Sequence, residues 1–497
     1  MTVRGEHASI ATSRSAGVLL HPTSLPGPYL NGDIGHEAYR FIEFLHANGL
    51  KVWQMLPLGP THEDKSPYQC LSAHAGNPEL ISLDWLVDRG WLNMECLNLA
   101  VTDEHYRPLC LKQAGLKFNK NAGQKWQDKL VAFRVEHAAW LNDYALFVAL
   151  KKKYQSRPWY LWPESVRQRR PQAMQSATVE LADEIEQVIF EQFIFFTQWH
   201  EVRDYAARHD VKLFGDMPIF VAHDSADVWA KRRNFLVNND GEMEFVAGVP
   251  PDAFSATGQR WGNPLYDWSF MQQDGFEWWK SRFATQLELF DLVRLDHFRG
   301  LDACWEIPAE DDTAENGQWQ DVPGSELLTS LYEQFHPLPL VAEDLGVITE
   351  RVIELKNAFR LPGMKVLQFA FDGSTDNPHL PHLHRQEDVI YTGTHDNTTT
   401  LAWIKDETNY NKKFFMAYSG CSRDTVEDKF AAMLRMALSS VSFLCIIPMQ
   451  DLLMLDAEAR MNRPGTMGNN WGWRFNWKQV KAGTIDKTTS LISLYQR

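Results

Sequence analysis

Short apolar runs rich in β-branched residues alternate with helical patterns along most of the chain. Polar, Pro-rich or Gly-rich residues bound each run, as expected of buried strands in a parallel sheet. Helical periodicity marks 37–48, 349–358 and 424–438. Strands alternating with helices predict an α/β protein built on a (β/α)8 (TIM) barrel, whose site lies in the loops after the C-terminal strand ends. The eight runs are 17–20, 52–57, 211–216, 292–300, 338–344, 364–371, 389–397 and 443–451.

Two long intervals interrupt this alternation. About 150 residues separate the second run from the third, far more than a crossover helix needs. Aromatic residues recur there at helical spacing, so we predict a largely helical insertion subdomain at 59–205 with the aromatic stripes in its core. The stretch 245–268, rich in turn formers and aromatic residues, predicts a long irregular loop that covers a substrate. Residues 1–497 are otherwise expected to form one catalytic barrel domain, without a C-terminal β-sandwich.

Carboxylates follow three of the predicted strands. Asp296 ends the fourth run, Glu343 the fifth and Asp396 the seventh. Because the C-terminal ends of barrel strands meet at one mouth, these three side chains are expected to converge. A competing interpretation for Asp296 alone is a helix cap, or an ion pair with Arg294 or Arg299.

Convergent carboxylates at a barrel mouth permit two main chemistries. One is the binding of Mg²⁺ or Mn²⁺ through carboxylate oxygens. The other is retaining glycosyl transfer, in which one carboxylate attacks the anomeric carbon and a second carboxylic acid protonates the leaving oxygen. For the second chemistry, Arg294 would keep the Asp296 nucleophile ionised, and neighbouring carboxylates would raise the pKa of Glu343 for its acid role. Asp396 and His395 would then contact sugar hydroxyls.

Composition and charge narrow the class of partner. The 497 residues are 44% hydrophobic and 23% charged, as in a globular enzyme, and the formal net charge is −15. This charge disfavours nucleic acid and anionic membranes as main partners. Six scattered cysteines form no CxxC pair, the N-terminus shows no signal-peptide core, and we found no run long enough to span a membrane. A reduced cytoplasmic protein, neither exported nor membrane-anchored, is therefore expected.

Seven ordered blocks resemble one known family, the 4-α-glucanotransferases called amylomaltase or disproportionating enzyme. The resemblance implies a retaining transferase acting on malto-oligosaccharides and α-1,4-glucans, with no cofactor and no metal. It assigns Asp296 as nucleophile, Glu343 as acid/base and Asp396 as transition-state stabiliser. The blocks are 17–28, 66–78, 215–220, 247–268, 293–300, 342–346 and 393–397. The predicted substrate-binding residues are Ser66, Tyr68, Asp216, Trp261 on the acceptor side, Arg294, His395 and Asn469.

Three positions depart from the pattern of that family. Ala253 stands where an aromatic residue is frequent, His74 replaces a common Phe, and Thr398 stands where Asp is frequent. These departures concern subsite affinity, since none alters the three carboxylates. Two alternatives stay open: a catalytically inactive α-glucan-binding protein, and a metal-dependent enzyme on the same barrel. The sequence leaves the oligomeric state undetermined.

Overall fold

A computed structural model of the chain describes residues 13–102, 106–251, 255–466 and 468–497. The strands group into a large parallel sheet and a small antiparallel one. Their bounds are β1 Ser15–Leu19, β2 Val52–Gln54, β3 Lys212–Met217, β4 Phe245–Val249, β5 Gln259–Pro264, β6 Leu292–Leu295, β7 Ala303–Pro308, β8 Gln318–Asp321, β9 Leu340–Ala342, β10 Met364–Val366, β11 Val389–Tyr391 and β12 Leu444–Pro448.

The eight-stranded parallel sheet forms the barrel. Its order is β10-β11-β12-β1-β2-β3-β6-β9. Read around the closed barrel from β1, the eight strands follow one another in the order of the chain. The two end strands, β9 and β10, are joined by a bond from the Ala342 N–H to the Pro362 carbonyl at 2.8 Å. The Met364 N–H adds a bond of 2.7 Å to a carboxylate oxygen of Asp344. The predicted (β/α)8 barrel is confirmed, with Asp296, Glu343 and Asp396 following its fourth, fifth and seventh strands.

Alternation along the barrel strands separates an inner from an outer face. One set of alternate residues packs together apart from the helices, and we assign it to the barrel interior. The other set packs with the surrounding helices in the main core. Bulky inward residues fill the barrel as a packed core, so a ligand is accommodated at the mouth. The inner set includes Leu19, Val52, Phe214, Val341, Val366, Tyr391 and Ile446.

Helices surround the barrel, and α2 to α9 occupy the interval between β2 and β3. The last of them, α9, is the longest, and it packs against α1 and β3 of the barrel. The separate subdomain at 59–205 stays a prediction. The helices are α1 His36–Ala47, α2 Leu83–Asp88, α3 Met94–Thr102, α4 Tyr106–Asn121, α5 Gln124–Glu136, α6 Leu141–Lys153, α7 Glu164–Arg167, α8 Pro171–Glu180, α9 Ala182–Arg208, α10 Ala226–Ala230, α11 Trp268–Asp274, α12 Glu277–Leu289, α13 Gly324–Gln334, α14 Glu350–Ala358, α15 Thr400–Lys405, α16 Lys412–Ser419, α17 Val426–Ser439, α18 Met449–Leu452 and α19 Ala482–Leu494.

The stretch expected to be an irregular loop contains two strands. β4 and β5 pair antiparallel, and the small sheet continues as β5-β4-β7-β8. The prediction was wrong because Gly262, Asn263 and Pro264 read as turn formers, whereas an edge strand such as β5 tolerates them. Residues 252–254, including Ala253, lie outside the described residues. The small sheet stands beside the barrel mouth and supplies Trp261.

The sixth barrel strand is shorter than the predicted run 364–371. It ends at Val366, because the following Leu367–Phe369 form a 3-10 helix. After β12, the described residues contain α18, α19 and irregular segments but no β-sandwich, as predicted. Cys96 and Cys110 form a disulfide, which differs from the expected set of reduced thiols. Within the described ranges, no helix is long and apolar enough to cross a membrane.

Candidate active site

The inner faces of three barrel strands continue directly into the site. Phe214 points inward on β3, so period two places Asp216 inward as well. By the same alternation, the side chains of Arg294 on β6 and of Asp296 directly after it point inward. Val341 on β9 points inward, and so does Glu343 two residues later. Because the strands are in parallel register, with Asp216 opposite Arg294 and Arg294 opposite Val341, these side chains meet at one end of the barrel.

Arg294 bridges two carboxylates. Its Nη1 donates to Oδ2 of Asp216 at 2.6 Å, and its Nη2 donates to Oδ1 of Asp296 at 2.7 Å. Burial alone would lower the pKa of Arg294, but the carboxylates of Asp216 and Asp296 raise it well above its usual value. Burial raises the pKa of Asp216, and Arg294 opposes that effect. The guanidinium therefore stays charged and fixes the orientation of Asp296.

Glu343 is held by two backbone donors. The His297 N–H donates to Oε2 at 2.7 Å, and the Leu345 N–H donates to Oε1 at 2.8 Å. Burial raises the pKa of Glu343 to about 7, and the charge of Asp296 adds to this rise against the opposing effect of Arg294. The raised value agrees with the sequence-based expectation. Its main cause is burial, whereas the sequence suggested neighbouring carboxylates.

Asp396 depends on two residues that the sequence reasoning missed. Asn462 Nδ2 donates to Oδ1 of Asp396 at 2.6 Å, and Arg460 Nη2 donates to the Asp396 carbonyl at 2.6 Å. Arg460 also donates through Nε to the Asn462 carbonyl at 2.7 Å, which ties the pair together. Both belong to the loops after the eighth barrel strand. That position, in a polar segment following a barrel strand, was the available signal.

Tyr68 joins the β2–β3 insertion to the barrel mouth. Its hydroxyl lies 2.8 Å from Oδ2 of Asp216 and 2.8 Å from Nε2 of His395. The Tyr68 and His395 rings stack with centroids 5.3 Å apart. Burial raises the pKa of Tyr68 well above its usual value, so the hydroxyl stays protonated. The three predicted binding residues Tyr68, Asp216 and His395 therefore form one connected group.

A cleft of about 350 Å³ lies above this group. All three carboxylates line it, as do the predicted residues Ser66, Tyr68 and Trp261. Asn469 is exposed and is not among the lining residues, although its neighbours Gly468 and Asn470 are. Within the described residues, no group of three or more His, Cys, Asp or Glu side chains is arranged to hold a metal ion. Other lining residues are Asp64, Gln69, Phe220, Gln259, His297, Asn462, Arg463 and Trp471.

Two carboxylates at a barrel mouth, one paired with an arginine and the other buried, are typical of retaining enzymes that act on glycosidic bonds. The chain belongs to the 4-alpha-glucanotransferase family, whose sequence profile matches residues 20–480. The 4-alpha-glucanotransferase of Thermus thermophilus is 46% identical over 93% of this chain and 94% of that protein. The Synechocystis 4-alpha-glucanotransferase is 43% identical over 97% of this chain and 98% of that protein. The family resemblance noted in the sequence is confirmed.

Solved structures agree with the assignment. The amylomaltase of Streptococcus agalactiae in complex with acarbose superposes with a TM-score of 0.92 at 34% identity. The match covers 97% of this chain and 99% of that one. The amylomaltase of Corynebacterium glutamicum, at 16% identity, has a TM-score of 0.80 and shares the fold.

Proposed function

We propose that this chain transfers α-1,4-glucan segments between malto-oligosaccharides and glucans by retaining double displacement, and that it releases glucose from short donors. The observation that carries the proposal is the contrast between two carboxylates at neighbouring strand ends. Asp296 is paired with the Arg294 guanidinium, whereas Glu343 is buried with a pKa of about 7. The mechanism requires this division: one carboxylate attacks while a second carboxylic acid donates a proton.

In the first step, an oxygen of Asp296 forms a bond to the anomeric carbon and the glycosidic C–O bond breaks. Glu343 transfers its proton to the departing sugar oxygen. In the second step, Glu343 takes the proton of an acceptor hydroxyl, whose oxygen attacks the anomeric carbon and releases Asp296. Asp396 binds hydroxyls of the reacting sugar and stabilises its positive charge. The configuration at the anomeric carbon is retained because it is inverted twice.

The remaining residues of the site bind the glucan. Tyr68, Asp216 and His395 form a hydrogen-bonded group beneath the cleft, and Oδ1 of Asp216 has no partner among the described residues. Asp216 is buried and does not line the cleft, so it supports the glucan-binding surface through Tyr68 and Arg294. Trp261 offers an aromatic surface on the acceptor side, from the β4–β5 hairpin of the proposed covering segment 245–268. Ser66 and Asn469 complete the proposed binding set.

A trapping experiment tests the two central roles. With α-maltosyl fluoride the leaving group needs no proton, so Glu343→Gln should form the glycosyl-enzyme but lack the base for the second step. Intact-protein mass should rise by one maltosyl unit, and peptide mapping should place it on Asp296. Asp296→Asn is the matched control and should give no adduct. An adduct on Glu343 or Asp396 would overturn the assignment.

Two simpler measurements separate the alternatives. Maltotriose should yield glucose together with a ladder of longer chains, whereas hydrolysis would give only glucose and maltose. A glucan-binding protein without activity would leave maltotriose unchanged. Prolonged dialysis against a chelator should leave the rate unaffected, and activity that disappears and returns with Mg²⁺ or Mn²⁺ would replace this mechanism with a metal-dependent one.

A further inference from the structure

The residue after Asp296 has an unusual backbone conformation. His297 lies in the left-handed region, with φ +53° and ψ +54°. Residues other than Gly adopt this conformation uncommonly, and Asn, Asp and His are enriched among those that do. Strained backbone concentrates at functional sites. The conformation ends the extended backbone that follows β6 and starts the 3-10 helix Phe298–Leu301. The turn therefore redirects the chain immediately beside the proposed nucleophile.

This turn connects the end of β6 to the end of β9. The His297 N–H donates to Oε2 of Glu343 at 2.7 Å, and the Phe298 N–H donates to the Glu343 carbonyl at 3.1 Å. In the opposite direction, the Glu343 N–H donates to the Leu295 carbonyl at 3.1 Å. The φ and ψ angles of residue 297 set the direction of the Phe298 N–H relative to the His297 N–H, so a right-handed or extended residue there could not aim both groups at Glu343. Either Oε2 or the carbonyl of Glu343 would then lose its donor from this turn.

The side chain of His297 packs closely and is not part of the hydrogen bond to Glu343. Its ring meets the Trp261 ring edge to face, with centroids 4.9 Å apart and planes at 88°. On the other side it approaches Gly300, where an added Cβ would lie 3.2 Å from the ring. The ring thus packs between the β4–β5 hairpin and the 3-10 helix, and His297 also lines the cleft. The contact with Glu343 comes from the backbone alone.

We infer that His297 is a positioning residue for Glu343, because its left-handed backbone lets the N–H groups of residues 297 and 298 reach the carboxyl and the carbonyl of Glu343 together. The inference rests on the proposed role of Glu343. It predicts that activity depends on whether residue 297 tolerates the left-handed conformation, more than on whether it carries an imidazole. Asn and Gly tolerate that conformation, whereas β-branched Val does not.

The test uses two donors that share a maltosyl unit and differ in leaving group. Phenyl α-maltoside needs a proton for departure, whereas α-maltosyl fluoride does not. The kcat/KM for the phenyl donor divided by that for the fluoride, here the leaving-group ratio, reports proton donation in the first step. His297→Val should lower this ratio by about tenfold or more, because a misplaced acid loses efficiency. In His297→Asn, whose side chain is similar in size to that of Val and also lacks the ring, the leaving-group ratio should stay within about threefold of that of the unmodified chain.

Each outcome has a defined meaning. Equal ratios in the Val and Asn variants, whether both lowered or both unchanged, would overturn the positioning role. Glu343→Gln must lower the ratio strongly, and a ratio unaffected by that change would refute the acid role itself. A low ratio in Glu343→Gln with a normal ratio in His297→Val would refute only the role of His297. Should His297→Val fail to fold by near-UV circular dichroism, His297→Ala against His297→Gly provides the same comparison.

Discussion

Arg294 and Asp296 face the same direction from one strand, and Nη2 of the arginine lies 2.7 Å from Oδ1 of the aspartate. Asp296 follows β6 directly and lies two residues after Arg294, so the period of two in extended backbone places both side chains on the inner face. The other arm of the guanidinium, Nη1, is held by Asp216 on the neighbouring β3. The position of Asp296 is thus fixed by two adjacent strands of the barrel.

Arg294→Gln should therefore damage both activity and stability. Without the two hydrogen bonds of the guanidinium, Asp296 can rotate, and we expect kcat to fall about 10²-fold. Removing one partner also leaves Asp216 buried without its counter-charge, which should lower the free energy of unfolding by about 3 kcal/mol. Steady-state kinetics on maltotriose and denaturant unfolding measure the two effects. Unchanged stability would show that Asp216 does not depend on Arg294.

Arg351 provides a matched control. It also contacts two aspartates, Asp302 at 3.0 Å and Asp321 at 2.9 Å, but its side chain is 61% exposed, against 6% for Arg294. Water already solvates the Arg351 guanidinium and screens its contact with the exposed Asp321, although the Asp302 side chain is buried. Arg351→Gln should leave both kcat and the unfolding midpoint unchanged. A similar loss in the two variants would mean that the effect of Arg294 is not specific to the site.

The pKa of Glu343 predicts the alkaline limb of activity. The proton is available for the first step only while Glu343 is neutral, so kcat/KM for maltotriose should fall as pH rises through about 7. Because fluoride departs without a proton, kcat/KM for α-maltosyl fluoride should lack this limb. Arg294 lowers the pKa of Glu343, so its removal should shift the limb to higher pH. The same limb with both donors would assign the ionisation to another group.

The barrel and its three carboxylates could be predicted because they follow from local rules. Apolar runs have a short-range signature, and parallel strands bring their C-terminal ends together whatever the chain separation. Glu343 and Asp396 are therefore expected at one mouth although they lie 53 positions apart in the sequence. The raised pKa of Glu343 was expected in direction. Its main cause, burial of the carboxyl, depends on tertiary packing.

The small sheet and the support of Asp396 could not be predicted in this way. β4 pairs with β7, and that pairing joins segments whose local patterns do not identify each other as partners. β5 could not be predicted either, because Gly262 and Pro264 are typical of turns. They belong to a strand only through pairing with β4, which the local sequence does not indicate. Asn462 lies in a segment without periodicity, so its position after a barrel strand was the one sequence signal, and its hydrogen bond to Asp396 shows its role.

The β4–β5 hairpin is predicted to affect how the glycosyl-enzyme reacts. Trp261 lines the cleft and packs against His297, where it can exclude water and hold an acceptor sugar. Trp261→Ala should raise the ratio of hydrolysis to transfer on maltotriose by at least about twofold, because water reaches the intermediate more often. Reducing ends formed per glucosyl unit transferred gives this ratio. Trp319→Ala, on β8 of the same sheet and 39% exposed, is the control and should leave the ratio unchanged.

Asn462 is predicted to act through Asp396. The side chain of Asp396 is 43% exposed, and Asn462 provides a side-chain hydrogen bond that limits its rotation. Asn462→Ala should lower kcat on maltotriose about 10²-fold, since Asp396, the proposed transition-state stabiliser, would no longer be held in position. Asn470→Ala is the matched control: Asn470 lines the same cleft, but its side chain donates to the Thr466 carbonyl at 3.1 Å. Equal losses in the two variants would point to general disturbance of the cleft wall rather than to support of Asp396.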